Sequence, residues 1–457
     1  MKEILRRVAW PAALALLVLP SCASGTSGNS SDLSSQIANV TDAQLKGVHV
    51  QLSRFFGDCT TDFGTNLDLS KAVGECATIT TLTNKFNADN KWGIKVERLG
   101  GAAWDSYYLT LNAAIAGGTP PDVAIMHGSS LVDYVKRGLL IPLDPLVGIT
   151  HVDLTDVVPA AKIAISYDGT NYAIPFDVNG ALFHVNVDIW KQAGLSVDAN
   201  GNPVVPTSAD EFLADAAKVK QATGKNFMSL PRIGDHLGVH LFESLLEQQG
   251  GYVVNDQGTQ AGINTPEART ALAFIDKLTS GGYVNGNQTY DAANQSFLKG
   301  EVATEFNGTW LVDTFNTSAK FNYRVVSMPN LYSKPAVWSD NHTWAIPKQP
   351  KGDPVKYRAA LEFVSFLFAH DKDWALGTGH ISVRPSVLAS PEYKAAPQRG
   401  NYASTGTTVA HPVPHIANWP AALDALTKAI ESIWFQHVPV DTALKQGNDA
   451  INAALQS

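Results

Sequence analysis

A helix end, a turn and a buried strand follow one another in Ala113-Ala114-Ile115-Ala116-Gly117-Gly118-Thr119-Pro120-Pro121-Asp122-Val123-Ala124-Ile125-Met126. The alanine-rich start favours a helix, and Gly117-Gly118 stands where a helix C-cap favours glycine. Pro120-Pro121 forbids continuation of that helix. Val123–Met126 is an uninterrupted apolar run, which is typical of a parallel strand covered on both faces. The segment therefore predicts a helix that leads into a buried strand of an α/β sheet.

The same alternation extends outward on both sides. Val48–Leu52 and Ile94–Leu99 favour strands, and Ile79–Ala88 between them favours a helix. After Met126, His127-Gly128-Ser129 turns the chain into a helix that ends near Gly138. Further strands are predicted at Tyr172–Pro175 and Leu182–Val185, and further helices at Phe212–Ala222, Asp235–Gln248, Pro266–Leu278, Leu361–Ala369, Pro420–Phe435 and Asp441–Leu455. This order predicts α/β sheets with right-handed crossovers.

The composition limits the class of protein. The 457 residues are 45% hydrophobic and 17% charged, and the net charge is −8 at pH 7. The length predicts two or three domains, and the apolar fraction excludes disorder for the bulk of the chain. The negative charge argues against nucleic-acid binding, which normally requires a basic surface. The three cysteines exclude a metal site of four thiolates, and we expect neither a metal nor a cofactor.

The N-terminus predicts export. Lys2, Arg6 and Arg7 precede a short apolar stretch, Val8–Leu19, so residues 1–21 are interpreted as a signal peptide rather than a membrane span. Leu19-Pro20-Ser21-Cys22 resembles the lipobox of bacterial lipoproteins, which implies a lipid on Cys22 and anchoring to the outer face of the cell membrane. An ordinary secreted protein is the alternative. Residues 22–40 begin with a run rich in Ser, Gly and Asn and predict a flexible tether.

The other two cysteines, Cys59 and Cys76, enclose a segment rich in Thr, Asp and Gly that predicts a loop. In an oxidising exterior a disulfide between them is favoured, with a stabilisation of about 3 kcal/mol from loop closure. Two free thiols in a cytosolic enzyme are the alternative, which the signal peptide argues against.

Several segments carry family-specific patterns. The strongest are Ala113–Val123 and Phe297–Trp310, which ends in Gly-x-Trp. Weaker ones follow in order over nearly the whole mature chain: Tyr172–Asp177, Asn186–Trp190, Trp344–Lys348 and Ser382–Ser386. Together they resemble the extracellular solute-binding proteins of carbohydrate ABC transporters, the family that includes maltose-binding protein.

The resemblance implies a periplasmic-binding-protein-like type II fold, in which two α/β lobes are joined by a hinge and hold ligand in the cleft between them. We expect lobe I to comprise residues 41–176 and 343–388, and lobe II residues 177–342 and 389–457. The implied function is capture of a mono- or oligosaccharide by lobe closure, without catalysis. Delivery would be to the transmembrane subunits of an ABC permease, and we expect the chain to be a monomer.

Sugars present apolar ring faces and hydroxyl groups, which aromatic rings and hydrogen-bonding side chains suit respectively. The resemblance places a stacking tryptophan at Trp310, a cleft carboxylate at Asp177 and an aromatic platform at Trp419. Candidate polar or aromatic contacts are Arg54, Asp58, His127, Ser129, Trp338, Asn341 and Arg384. For several of these an alternative stays open: core packing for Trp419, the cleft rim for Trp338, and a structural salt bridge for Arg384.

Three other functions compete. The same fold could bind a polyamine, a peptide or another small molecule, since acidic cleft residues suit a cation. An exported glycosidase would need two carboxylates at a defined separation, yet no familiar catalytic signature occurs. A zinc-binding transport protein could use His236, His240 and Glu243 on one helix face, although solvated or hydrogen-bonding histidines are favoured there, as for His411 and His415.

Overall fold

The computed structural model describes residues 30–100, 104–149, 151–406 and 410–456. The predicted signal peptide and the predicted lipid site at Cys22 lie outside these residues. Among the helices of the described ranges, none combines the length and apolarity needed to cross a bilayer.

Strands from both halves of the chain join one large mixed sheet, with β4 and β5 forming a separate hairpin. The strands are β1 (His49–Ser53), β2 (Lys95–Arg98), β3 (Val123–His127), β4 (Ser166–Tyr167), β5 (Thr170–Asn171), β6 (Ala173–Asn186), β7 (Asn226–Pro231), β8 (Val284–Gln288), β9 (Val302–Gly308), β10 (Tyr323–Ser327), β11 (Val337–Ala345), β12 (Ile381–Ser382) and β13 (Ala410–Pro412). The main path runs β2-β1-β3-β11-β6-β9-β7-β8, with β10 and β12 on β6 and β13 on β11.

The helices cover the faces of this sheet. They are α1 (Ser30–Ala38), α2 (Thr60–Phe63), α3 (Glu75–Asp89), α4 (Tyr107–Ala116), α5 (Gly128–Lys136), α6 (Asp144–Val147), α7 (Pro159–Ala164), α8 (Val187–Gln192), α9 (Ala209–Thr223), α10 (Leu237–Gln248), α11 (Pro266–Ser280), α12 (Tyr290–Leu298), α13 (Val312–Ser318), α14 (Pro354–Ala369), α15 (Asp371–Thr378), α16 (Pro385–Leu388), α17 (Pro391–Ala395), α18 (Arg399–Tyr402), α19 (Trp419–Gln436) and α20 (Val440–Leu455). Short 3-10 turns lie at Leu69–Lys71, Trp104–Ser106, Thr309–Leu311 and Ala403–Gly406.

Local signals explain many of these bounds. Ser208 caps α9 by accepting from the backbone N–H of Glu211, and the Glu211 carboxylate accepts from the N–H of Thr207. This is a capping-box arrangement shifted by one residue. Gly224 then ends α9 in the left-handed conformation, which costs glycine little. The central strand β3 follows Pro120-Pro121 as expected, and all but its last residue are buried.

Two strands that the sequence separates are one strand in the structure. β6 includes both predicted pieces, and each of its 14 residues is buried. Its antiparallel pairing with β11 shifts register between His342 and Thr343, which leaves Phe176 as an extra, bulged residue. Pro175 lies beside this bulge, where the lack of an N–H donor is tolerated. At Gly180, a Cβ would lie 3.2 Å from the Trp338 carbonyl oxygen, so glycine lets β11 approach closely.

Two hydrophobic cores lie on either side of this strand pair. The first includes Leu52, Ile125 and Trp344, and the second includes Phe183 and Phe242. The α/β architecture with two cores confirms the predicted fold class. Within the C-terminal part, Tyr402 packs in the first core and Trp419 packs in the second.

The ordered body begins earlier than residue 41. Ser30–Ala38, within the predicted tether, forms α1. Ile37 of this helix is fully buried in the first core, and Leu33 packs against that core. Burial of this apolar side chain explains why the helix is held to the body, since a helix of this length is marginal alone.

The predicted disulfide between Cys59 and Cys76 is confirmed. It joins the start of α2 to the second residue of α3, with the two Cα atoms 5.8 Å apart. The disulfide therefore fixes the loop that follows β1 against the first lobe.

Replacing both cysteines, Cys59→Ser with Cys76→Ser, is expected to lower the free energy of unfolding by about 3 kcal/mol, because the unfolded chain regains the entropy of this loop. Urea titration of the wild type and the double variant measures the difference. Reduction of the wild-type protein should produce the same loss and should not affect the variant. Equal stability of both oxidised proteins would contradict the prediction.

Candidate functional site

Asp177 lies where β6 and β11 cross between the lobes, directly opposite His342 in the antiparallel register. Its side chain is fully buried. One carboxylate oxygen, Oδ2, lies 2.9 Å from Nδ1 of His342 and accepts from Nε1 of Trp374 at 2.7 Å. The predicted cleft carboxylate is therefore buried and bonded to protein groups.

His380 extends this arrangement toward α3. Its Nε2 lies 2.8 Å from Oε1 of Glu75, and its Nδ1 lies 3.0 Å from Oγ1 of Thr309. Nδ1 is also 3.8 Å from the Asp177 carboxylate. We call the following residues the crossing cluster: Glu75, Asp177, Thr309, His342, Trp374 and His380. The cluster joins α3, β6, β11 and the segment after β9 at one point.

The charges of the crossing cluster stabilise one another. Burial alone would raise the pKa of Asp177, but the positive charges of His342 and His380 hold it well below the usual range. Burial likewise opposes protonation of His342, yet the facing Asp177 carboxylate raises the pKa of its imidazole. The crossing is thus an ionic contact in a buried environment, where loss of one partner is costly.

Aromatic side chains of the second lobe form a surface next to the crossing. Half-buried Trp310 follows β9, and its Nε1 donates to the Tyr290 hydroxyl at 2.8 Å. Its ring stands edge-on to Trp338, with the ring centroids 6.5 Å apart. Trp338 in turn stacks on His240 at 3.8 Å. We call Tyr290, Trp310, Trp338 and His240 the aromatic wall.

Gly308 explains the Gly-x-Trp pattern physically. A Cβ at Gly308 would overlap the six-membered ring of Trp310. Glycine therefore lets the indole fold back over the end of β9, and the hydrogen bond to Tyr290 fixes it there. The ring is positioned by its neighbours rather than by core packing alone.

On the first lobe, His127 ends β3 and lies beside the crossing cluster. Its ring is parallel to Phe55 at 4.9 Å and lies 5.0 Å from the His342 ring. The Trp104 ring, 60% exposed, is 6.1 Å from it. Burial, together with the charges of His342 and His240, holds the pKa of His127 well below its usual value.

Three further predicted contacts are engaged inside the protein. Trp419 is 2% exposed and packs in the second core, which agrees with the core-packing alternative. The Ser129 hydroxyl donates to Asp340 at 2.6 Å, and the Asn341 side-chain amide donates to the Asp177 carbonyl at 3.0 Å. Both support the crossing from within.

The predicted arginine contacts are also taken up by structural partners. Buried Arg54 donates to the Gly57 carbonyl and the Thr80 hydroxyl, and burial lowers its pKa to about 9. Asp58 is exposed and pairs with Arg98 at 2.7 Å. Arg384 pairs with Asp156 at 3.0 Å, which is the salt-bridge alternative rather than a fork onto a ligand.

Several residues of this region carry no signal in the sequence. Tyr290 is the first residue of α12, and Trp374 and His380 lie in and just after α15. Their positions relative to Asp177 and Trp310 depend on pairings between distant segments. The identity of an aromatic residue alone does not show whether it lies at a site or in the core.

Glu305 on β9 is a fully buried carboxyl. The Asn307 side-chain amide donates to its Oε1 at 2.8 Å. Burial raises the pKa of Glu305 from an ordinary 4.5 to about 8. At neutral pH the folded protein therefore keeps a proton on Glu305 that the unfolded chain loses.

This difference predicts a pH dependence of stability. The contribution of the Glu305 proton is fully present below about pH 4.5 and is lost as pH rises toward about 8. Between about pH 5 and 7, the wild type should lose about 1 kcal/mol more per pH unit than Glu305→Gln. Urea unfolding of both proteins across this range measures the slopes. The exposed Glu301→Gln is the control, and parallel slopes for wild type and Glu305→Gln would contradict the assignment.

Comparison with known families gives one clear match. The sequence pattern described as "bacterial extracellular solute-binding protein" matches residues 81–401, which is more than half of the chain.

Individual relatives and structures agree with this match. The maltotriose-binding protein of Pyrococcus abyssi is 24% identical over 361 residues, which is 76% of this chain and 73% of that protein. The GacH receptor of Streptomyces glaucescens, solved unliganded and with acarbose, superposes with a TM-score of 0.76 at 18% identity, over 90% of this chain and 99% of that chain. UgpB of Mycobacterium tuberculosis, solved with glycerophosphocholine, superposes with a TM-score of 0.72 at 21% identity, over 83% and 95%. At these identities the two structures show a shared fold.

Proposed function

The chain belongs to the family of bacterial extracellular solute-binding proteins, and we propose that its solute is a mono- or oligosaccharide. It acts outside the cytoplasm as the binding component of an ABC importer. Ligand is captured between the lobes and passed to the transmembrane permease subunits, where the partner ATPase drives uptake. The binding protein itself carries out no reaction.

The aromatic wall is the observation that carries this proposal. A half-exposed Trp310, fixed by Tyr290 and set at a right angle to Trp338, offers flat apolar surface for the C–H face of a sugar ring. His127 and Trp104 offer further rings from the first lobe. The names of two similar proteins, which bind maltotriose and acarbose, support the same ligand class.

Closure follows from the way the lobes are joined. β6 and β11 both pass through the crossing, and the two cores lie on either side of it. A sugar that touches rings of both lobes stabilises the arrangement in which those rings face each other. It does so by the difference between its affinities for the closed and the open arrangement.

Attachment to the membrane is part of the proposal. The lipobox-like sequence ending at Cys22 supports a lipid anchor on the outer face of the cell membrane, followed by a tether that ends where α1 begins at Ser30. We expect the anchored protein to work as a monomer. Mass spectrometry of the membrane fraction, comparing wild type with Cys22→Ser, tests the anchor.

A non-sugar solute is the second candidate. The observation that favours it is the fold shared with UgpB, whose solved complex contains glycerophosphocholine. A polyamine is a further non-sugar candidate, since the chain carries a net charge of −8 at pH 7. An exported glycosidase receives no support from the family match.

Titration calorimetry of the soluble domain separates these candidates. The ligands are mono- to tetrasaccharides, glycerophosphocholine and a polyamine. We expect binding of at least one saccharide, with weaker binding of both non-sugars. Binding of glycerophosphocholine or the polyamine together with no response to any saccharide would refute the sugar assignment.

A further inference from the structure

Three potential metal ligands converge within the crossing cluster. Among the described residues, the ligand atoms of Glu75, His342 and His380 lie within 4.8 Å of one another. They come from the first turn of α3, from β11 and from the residue before β12. Both histidines are almost fully buried, and the Glu75 side chain is 26% exposed. The group therefore lies inside the protein with one side toward solvent.

The two imidazoles are held in the orientation that a metal requires. The Asp177 carboxylate accepts from Nδ1 of His342 at 2.9 Å, and Thr309 Oγ1 lies 3.0 Å from Nδ1 of His380. The carboxylate accepts only, so it fixes the tautomer of His342 and leaves its Nε2 as the ligand atom, while the Thr309 hydroxyl, which can donate or accept, holds the ring of His380. Nε2 of His380 already points at Glu75, at 2.8 Å. Two imidazoles and one carboxylate form a set of three ligands typical of zinc with an open fourth position.

The charges of this region fit a divalent cation. Asp177 and Glu75 bring two negative charges to the two imidazoles. Two imidazolium protons would balance them, and so would a single ion of charge +2 bound to neutral imidazoles. Buried charges must be paired in one of these ways.

The helix face that the sequence offers for zinc is arranged differently. His240 Nδ1 lies 2.6 Å from Glu243, and the His240 ring is stacked on Trp338. His236 meets His240 edge to face at a centroid distance of 5.9 Å. His240 is thus committed to the aromatic wall, whereas Glu75, His342 and His380 converge on one point.

We propose that Glu75, His342 and His380 form a binding site for a divalent transition metal, with zinc favoured, at the crossing between the lobes. The ion would join α3 and the β12 segment of the first lobe to β11. Its outer partner Thr309 directly precedes Trp310 on the second lobe. The metal would thus stabilise the position of the segment that carries the aromatic wall.

Calorimetry with zinc chloride, using soluble protein previously treated with EDTA, tests the site. We expect one zinc ion per chain and a higher melting temperature in its presence. Glu75→Gln and His380→Gln should each weaken zinc binding more than about 10-fold. Cobalt(II) should give the visible absorption bands of a four-coordinate site in the wild type, and these should be lost in both variants.

Glu97→Gln is the matched control, since Glu97 pairs with His49 at 3.1 Å on the exposed surface. It should bind zinc like the wild type. Glu75 is partly exposed, so we expect Glu75→Gln to fold. This variant therefore tests the proposal even if His380→Gln fails to fold. Failure of the wild type to bind at millimolar zinc, or binding that persists in Glu75→Gln and disappears in His240→Gln, would overturn the proposal. These experiments measure zinc binding alone, so their outcome does not depend on whether the protein binds a saccharide.

Discussion

Trp310→Ala is expected to weaken saccharide binding about 10-fold or more. The substitution removes the half-buried ring of the aromatic wall that we propose to stack on the sugar, and it lies outside β9. A 10-fold change in affinity corresponds to about 1.4 kcal/mol of binding free energy. A stacked aromatic contact in a desolvated site typically contributes at least about this much. Titration calorimetry with the saccharide that binds wild type most tightly measures the change.

Trp92→Ala is the matched control for this experiment. Trp92 is also half-buried, and its Nε1 also donates to a side chain, Asp42, at 2.7 Å. It lies on the first lobe beside β2, away from the aromatic wall. It should leave saccharide affinity unchanged, and Trp310→Phe should restore part of the affinity. Equal saccharide affinities of the wild type and Trp310→Ala would show that Trp310 serves only in packing.

Asp177→Ala is expected to lower the free energy of unfolding by about 3–5 kcal/mol. The substitution removes the partner of buried His342 and the acceptor for Trp374 Nε1. Breaking a buried ion pair by deleting one side leaves the other charge without compensation, and this is among the most destabilising single changes. Urea unfolding in the presence of EDTA measures the effect on the protein alone.

Asp424→Ala provides the comparison. Asp424 pairs with Lys428 at 2.6 Å, but both side chains are more than 60% exposed. Exposed pairs contribute about 0–1 kcal/mol, so this variant should unfold almost like the wild type. If Asp177→Ala and Asp424→Ala lower the free energy of unfolding by the same small amount, the prediction that the crossing cluster stabilises the fold is wrong.

Elements with local signals were predictable. The glycine pair, the two prolines and the apolar run specify the end of α4 and the whole of β3, because each signal acts within a few residues. The disulfide follows from two cysteines in a short loop of an exported chain.

Features that depend on distant pairing were not predictable. The continuity of β6 requires β11 along its side, and the sequence around Asn179 and Gly180 shows only a weak strand pattern. The sequence offers Arg54 as a candidate ligand contact, yet in the structure it donates to Thr80 and Gly57 in the interior. Trp419 begins a helix, where an aromatic residue can face either way, and the core of the second lobe determines its direction.

The late position of β11 in the chain has a consequence for biosynthesis. β11 lies between β3 and β6 in the sheet, and the Thr343 hydroxyl reaches the Met126 carbonyl across 217 positions. A growing chain therefore has β3 with an open edge until the residues from Val337 onward have been added. Contacts between residues so far apart in the sequence form slowly, because the intervening loop must first be closed at a cost in chain entropy. The sheet of the first lobe therefore cannot be completed until that late point of translation.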